Sequence, residues 1–298
     1  MSKTNKVKES NKIFAIISSV VLSCVSLLYL GCLFWALISA CKHSLDFGYH
    51  PFGFPRAQYG GWHLENFSYA YQLLYVELVS PTHIDYVRTP MLFLNSMFYA
   101  VGSSLSAVFW TAVTAYVCSK FDYKICHFIY AMVIIVMVLP IVGSLPSEMQ
   151  ICRSLGLYDN IFGLIIMRSH FTNVNFLVFY GVFKAMPLTY NEAAKLDGAG
   201  EWSIFFKIIL PLASATMFAV FILQFIAHWN DYSLPMLYLP SHPVLAYGLY
   251  LFQNSRSNYA TEPVKLAASM ICCIPSLLIF FTFRKRIMSN ISFGGLKG

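Results

Sequence analysis

From Ile13 to Cys41 the chain runs for 29 positions without a charged residue. At a helical rise of 1.5 Å per residue, about 20 apolar residues cross the hydrocarbon of a bilayer, so this run alone is long enough to span one. Similar runs recur to the end of the chain. The whole sequence is 58% hydrophobic and only 11% charged, where a soluble domain carries about 25% charged residues. Disorder, a fibrous protein and a soluble globular fold are thereby excluded. Lys3, Lys6, Lys8 and Lys12 precede the first run, as in a secretory signal, but the apolar core of a cleaved signal is about 7 to 15 residues. The first run is therefore expected to stay attached as a span.

Further spans are expected within residues 89–119, 125–147, 161–183 and 266–283, with another starting at Leu212; the fourth is interrupted by polar residues. Retained cationic loops mark the cytoplasmic side. With the N-terminus inside, thirteen of the twenty Lys and Arg residues fall on that side. The expectation is an all-α integral membrane protein of six transmembrane helices with both termini cytoplasmic. Its parts are a cytoplasmic segment (1–12), a first helix (13–41), an external loop (42–88), a core of five helices (89–284) and a cytoplasmic tail (285–298). The external loop is rich in Gly, Pro, Tyr and His, and a short helix is expected over 65–79.

The net charge of +7 does not point to nucleic acid, because the basic residues flank the apolar runs and form no soluble patch. Six of the eight cysteines lie in or beside the runs and none forms a zinc-type CxxC pair, so they read as packing residues. No GxxxxGK[ST], HExxH or GxSxG occurs, which leaves no nucleotide cradle, zincin site or nucleophile elbow. No covalent chemistry, and no cofactor in this chain, is expected.

The connection over 185–211 is too long and too patterned for a simple turn. Thr189 with Glu192 three residues later has the spacing of a capping box, predicting a helix from there to Leu196. Gly198 supplies the freedom for a sharp bend, and Glu201 to Leu210 resumes an apolar face. Pro211 suits the first turn of the next span. The expected product is an L-shaped helix pair at the inner membrane surface, which by itself could be an amphipathic interfacial element.

Glu192, Ala193 and Ala194, then Gly198, Ile208, Leu210 and Pro211, reproduce the spacing of the EAA signature of binding-protein-dependent ABC transporter permeases. The chain resembles the maltose-type, sugar-importing branch of that family. Asn95 with Ser96, Ala115 with Tyr116, Leu139 with Pro140, the run His228, Trp229, Asn230, Asp231 and the tail Gly294, Gly295, Leu296, Lys297, Gly298 extend the likeness, whereas residues 42–89 match poorly. The resemblance implies a type I importer fold. It also implies a second homologous permease, two copies of a cytoplasmic ATPase carrying the ATP and Mg, an external solute-binding protein and a carbohydrate substrate. Residues 189–211 would enter a cleft on the ATPase, with Glu192 and Asp197 available to basic groups.

Two polar sets fall within expected spans. Arg168, Thr172 and Asn175 are spaced i, i+4, i+7, and Gln224, His228 and Asp231 repeat that spacing, so each set is expected on one helical face toward the translocation path or the companion permease. Arg168 is expected to approach Asp231 in at least one state of the transport cycle, and Trp229 to anchor at the interface. Two other functions stay open at this point: a permease for a non-sugar solute, and a secondary transporter coupled through Arg168 and Asp231.

Overall fold

The computed structural model describes residues 2–139 and 143–291, and side chains over 13–139 and 143–284. Pro140 and the tail over 294–298 lie outside the described residues. Among these residues the chain forms two compact units, one from the N-terminus to Leu74 with Phe252–Cys272, the other from Tyr75–Leu251 with the stretch from Cys273 onward.

The first unit opens with α1 (Ser2–Ala40), whose apolar residues face outward on every side, from Phe14 at 73% exposure to Tyr29 at 69%. A helix hydrophobic all round belongs in lipid or against another subunit. Where α1 ends, polar groups lock the loop that follows. Lys42 is buried and its Nζ donates to the carbonyls of His50 and Pro51 at 2.9 and 3.2 Å. Trp35 also donates to Pro51, and Asn66 donates to the carbonyls of Ala40 and Lys42. Short helices α2 (Ser44–Tyr49) and α3 (Glu65–Leu73) complete this loop.

The helix expected over 65–79 stops at Leu73. β1 (Tyr75–Val79) then pairs antiparallel with β2 (Ile84–Arg88), in register Tyr75↔Arg88 to Val79↔Ile84. Val76, Val79 and Val87 favour extended backbone, and Pro81 sits in the turn closed by Ser80 N–H to the His83 carbonyl. This hairpin opens the second unit.

The spine of that unit is α4 (Thr89–Lys120), with Pro90 in its first turn. Its buried face carries Ala100, Ser103, Ser104, Ala107, Thr111, Ala112 and Ala115 at helical spacing. Small residues of this kind let helices approach closely where lipid supplies no hydrophobic drive between them. Against α4 pack α5 (Lys124–Val138), α7 (Ile161–Met167), α8 (Val174–Ala185) and α11 (Leu210–Trp229). Phe176, Phe179 and Phe183 of α8 fill the core with Tyr116, Phe205 and Ile209.

Three expected helices have other boundaries. The third span breaks after Val138, because Leu139 precedes a proline and adopts φ −76, ψ 120, and α6 (Leu145–Ser154) follows. The fourth breaks between α7 and α8. The fifth starts well before Leu212: α10 (Glu201–Ile204), a π turn (Phe205–Ile209) and α11 form one continuous helix over Glu201–Trp229. Pro211 lacks an N–H and would crowd the carbonyl four residues back, and the helix widens just before it, with Leu210 N–H reaching the Phe205 carbonyl. Two short helices, α12 (Ser233–Tyr238) and α13 (Leu245–Gln253), precede α14 (Glu262–Ile291). Four helices are long and apolar enough to cross a membrane, and α5 and α8 are shorter apolar helices.

One close approach is set by glycine. A Cβ on Gly163 would sit 2.1 Å from the Leu157 carbonyl oxygen, a backbone atom that cannot swing away. Gly163→Ala is expected to cost about 1 to 3 kcal/mol by overpacking, whereas Gly181→Ala, with nothing within 4 Å, should be neutral or slightly stabilising. Melting temperatures of the two purified variants check the contrast.

His63 generates a pH dependence in the first unit. Both ring nitrogens face acceptors, Nδ1 the Glu65 carboxylate and Nε2 the Tyr59 carbonyl, each at 2.8 Å. The Glu65 hydrogen bond, then the Tyr59 carbonyl, raise its pKa above the usual histidine value. A raised pKa stabilises the fold fully below the unfolded value of about 6.5, and that contribution is lost as pH rises through the folded value. Glu65 is 57% exposed, so the contribution is small. The melting temperature of the parent should exceed that of His63→Gln at about pH 5.5 and converge with it at about pH 9; a constant difference would show that the charge is irrelevant.

Candidate functional site

The chain leaves α8 through Met186, whose carbonyl accepts from Lys120 Nζ at 2.6 Å. Met186 is extended, as the residue before Pro187 must be. The capping box expected of Thr189 and Glu192 does not form. The N-cap falls one residue earlier, on Leu188, which has no side chain able to cap, and Thr189 is already the first residue of α9 (Thr189–Leu196).

One face of α9 is committed inward. Ala194 is 6% exposed within the aromatic core, and Asn191 Nδ2 donates to the buried Tyr116 hydroxyl of α4 at 2.7 Å. Tyr116 is itself gripped by the rings of Phe183, Phe121 and Phe205. The opposite face is free: Glu192, Ala193, Lys195 and Asp197 are exposed, and Leu196 is 90% exposed. The two alanines thus differ. Ala194 lets α9 approach its own core, and Ala193 lies on the outer surface.

Gly198 closes the helix at φ +79. Its N–H donates to the Lys195 carbonyl and that of Ala199 to the Ala194 carbonyl, the two bonds of a Schellman motif, which needs a left-handed residue. Across the bend Lys195 pairs with Glu201 at 2.6 Å. That contact raises the Lys195 pKa, but solvent screens the pair, so it sets direction more than stability. Beyond the bend Trp202 is 64% exposed and Phe205 and Ile209 are buried, with Ile208 and Leu210 half-buried and Pro211 exposed. Asn191, which anchors the segment, was not visible as a site residue in the sequence, because its partner lies 75 residues away.

The two polar sets differ from expectation. Arg168 caps α7, and α8 begins only at Val174, so Arg168, Thr172 and Asn175 share no continuous helical face. The break is stitched by side chains: Asn173 Oδ1 accepts from Asn175 N–H, Asn173 Nδ2 donates to the His170 carbonyl, and Ser169 meets Ser106 of α4. Thr172 and Asn175 are half-buried. The Arg168 Nε is buried without a hydrogen-bond partner.

On α11, Gln224 is half-buried and His228 buried, its ring edge-on to Tyr99 at 5.6 Å. Asp231 lies past the helix end, which comes at Trp229. Arg168 forms no ion pair among the described residues. Asp231 instead accepts from the Tyr99 hydroxyl at 2.9 Å, while its other oxygen receives the N–H groups of Ser233 and Leu234 at the start of α12. Trp229 is 3% exposed between Phe93 and Phe225, so it packs inside the chain and does not anchor at the interface.

Tyr99 and Asp231 should therefore be coupled. A double-mutant cycle on thermal unfolding with Tyr99→Phe and Asp231→Asn is expected to give about 1 kcal/mol of interaction. Additive effects would mean that the contact carries no energy.

Residues 87–292 match the family described as the inner membrane component of binding-protein-dependent transport systems. The diacetylchitobiose uptake system permease NgcG of Streptomyces coelicolor is 28% identical over 96% of this chain and 90% of its own length. The arabinooligosaccharide transport system permease AraQ of Bacillus subtilis is 27% identical over 69% of this chain and 73% of its own. A chain from the crystal structure of a bacterial ABC transporter that imports the acidic polysaccharide alginate superposes with a TM-score of 0.73, covering 93% of this chain and 97% of that one at 21% identity. With the matched residues taking in α4 to α14, the chain belongs to the binding-protein-dependent transport system inner membrane component family.

Proposed function

We propose that this chain is the transmembrane subunit of an ATP-driven importer that carries an oligosaccharide inward by alternating access. It pairs with a second homologous permease, two copies of a cytoplasmic ATPase and an external solute-binding protein. ATP and Mg reside on the ATPase, and this chain performs no covalent chemistry. The carbohydrate cargo is supported by relatives named for diacetylchitobiose and arabinooligosaccharides.

The observation that carries the coupling role is the way residues 189–211 are divided. The inner face of α9 is bolted to α4 through Asn191 and Tyr116, while Leu196, Trp202, Glu192 and Asp197 are left outward. A push on the outward face reaches the membrane helices without a flexible joint. Ala193, Gly198, Ile208, Leu210 and Pro211 complete the segment, the glycine setting the bend.

We assign Arg168, Thr172, Asn175, Gln224, His228 and Asp231 to the surroundings of the substrate path. The twelve residues of α8 rise only about 18 Å, so the non-helical stretch before it falls within the depth of an about 30 Å hydrocarbon core. Irregular backbone at that depth is tolerated where protein buries it or a wet cavity meets it.

Gly198→Val tests the coupling role. A β-branched residue strains φ +79 at any size of neighbour. Uptake and substrate-stimulated ATP hydrolysis by the assembled transporter should fall roughly tenfold or more, with membrane insertion unchanged. Uptake at the parental rate, or uptake by this chain alone driven by a proton gradient, would overturn the reading.

A further inference from the structure

The external loop and the segment before α14, both on the outer side, meet within the first unit around an open cavity of about 640 Å³. That size lies within the range of about 300 to 1,000 Å³ typical of small-molecule sites. Its lining mixes apolar surface, including Leu73 and Val264, with polar side chains. Tyr69, Gln72, Asn258, Tyr259, His63 and Glu65 are among the residues that line it. Tyr69 and Tyr259 are 53% and 75% exposed. Among the described residues the Tyr69 and Tyr259 hydroxyls and the Asn258 amide have no hydrogen-bond partner, and Gln72 uses only one N–H, toward Ser68. The wall behind them is fixed, because Asn66 is held by the carbonyls of Ala40 and Lys42.

Two exposed tyrosines with unspent amide and hydroxyl groups in the same lining match one ligand chemistry. A pyranose or furanose presents a C–H face to an aromatic ring and a rim of hydroxyls to donors and acceptors. The one carboxylate, Glu65, is hydrogen-bonded by His63 at 2.8 Å, and no Lys or Arg is among the lining residues, so the cavity offers no fixed cation for an anionic ligand and suits an uncharged one.

We propose that this cavity is a binding subsite for a neutral oligosaccharide, held by the permease itself on the external side. The subsite rests on the carbohydrate reading above and adds a place where this chain touches the cargo before it enters the membrane. Tyr259 and Tyr69 stack on sugar rings, while Asn258 and Gln72 bond their hydroxyls.

The test uses the assembled transporter in nanodiscs, first without its binding protein. Saturation-transfer NMR is recorded with neutral gluco-, arabino- and N-acetylchito-oligosaccharides and with a uronate oligosaccharide. Wild type should show transfer to a neutral member, and Tyr259→Ala with Asn258→Ala should weaken it roughly tenfold, with Tyr259→Phe retaining most of the signal. In proteoliposomes with the binding protein, the double variant should raise KM for uptake and leave kcat unchanged. Both positions are exposed, so folding should survive. If wild type imports a panel member and the double variant alters neither transfer nor KM, the subsite is wrong and the cargo reading stands. Preference for the uronate, or loss of binding-protein retention without loss of saccharide transfer, also overturns the subsite, the latter by making the cavity a protein-docking face. Import of no panel member by wild type overturns the cargo reading and the subsite with it.

Discussion

Helix α4 is the element on which the rest of the core depends, and the physical reason is the size of its side chains. In a bilayer the hydrocarbon is as apolar as leucine, so helices associate through close packing and interhelical hydrogen bonds. The alanine and serine stripe of α4 allows α7, α8 and α11 to pack against a single axis. Gly102 extends that stripe: a Cβ there would come within 2.5 Å of the Ile165 side chain of α7.

Both ends of α4 are tied to functional segments. At the outer end Asn95 donates to the Pro243 carbonyl, and the Ser96 hydroxyl accepts from Leu245 N–H, so α4 caps α13 from a distance of 149 residues in sequence. At the inner end Tyr116 and Lys120 hold the 186–191 connection. A helix is stiff along its axis because every backbone bond lies within it. The 186–191 connection and the start of α13 are therefore tied to one stiff element, the same one that organises the core.

The interruptions of the third and fourth spans follow the opposite logic. A break exposes backbone groups that lipid cannot satisfy, and each must find a partner inside the protein. Asn173, Ser169 and Asn160 do this around α7 and α8. The side chains that stitch the broken ends, Asn173 and Ser169, lie between the polar residues that look like a transport stripe when counted along a helix.

Much of this was legible in sequence because it rests on local quantities. Charge-free runs fix the membrane class, and glycine at 198 fixes the bend. Where the reading failed, the deciding contacts are remote. The capping box at Thr189 lost to a helix start one residue earlier, set where Pro187 and the Asn191 anchor to Tyr116 place the chain. The helix expected to 79 gave way to a hairpin whose strands pair only with each other. Arg168 and Asp231, expected to meet in at least one state, are not paired in this one, where Tyr99, 132 residues from Asp231 in sequence, takes the carboxylate. Sequence by itself determined that the chain belongs in a membrane, because transfer of a residue into lipid depends on its own side chain and its near neighbours. Only the tertiary structure decided which polar groups meet, because a buried hydrogen bond depends on the positions of two atoms that the chain alone does not bring together.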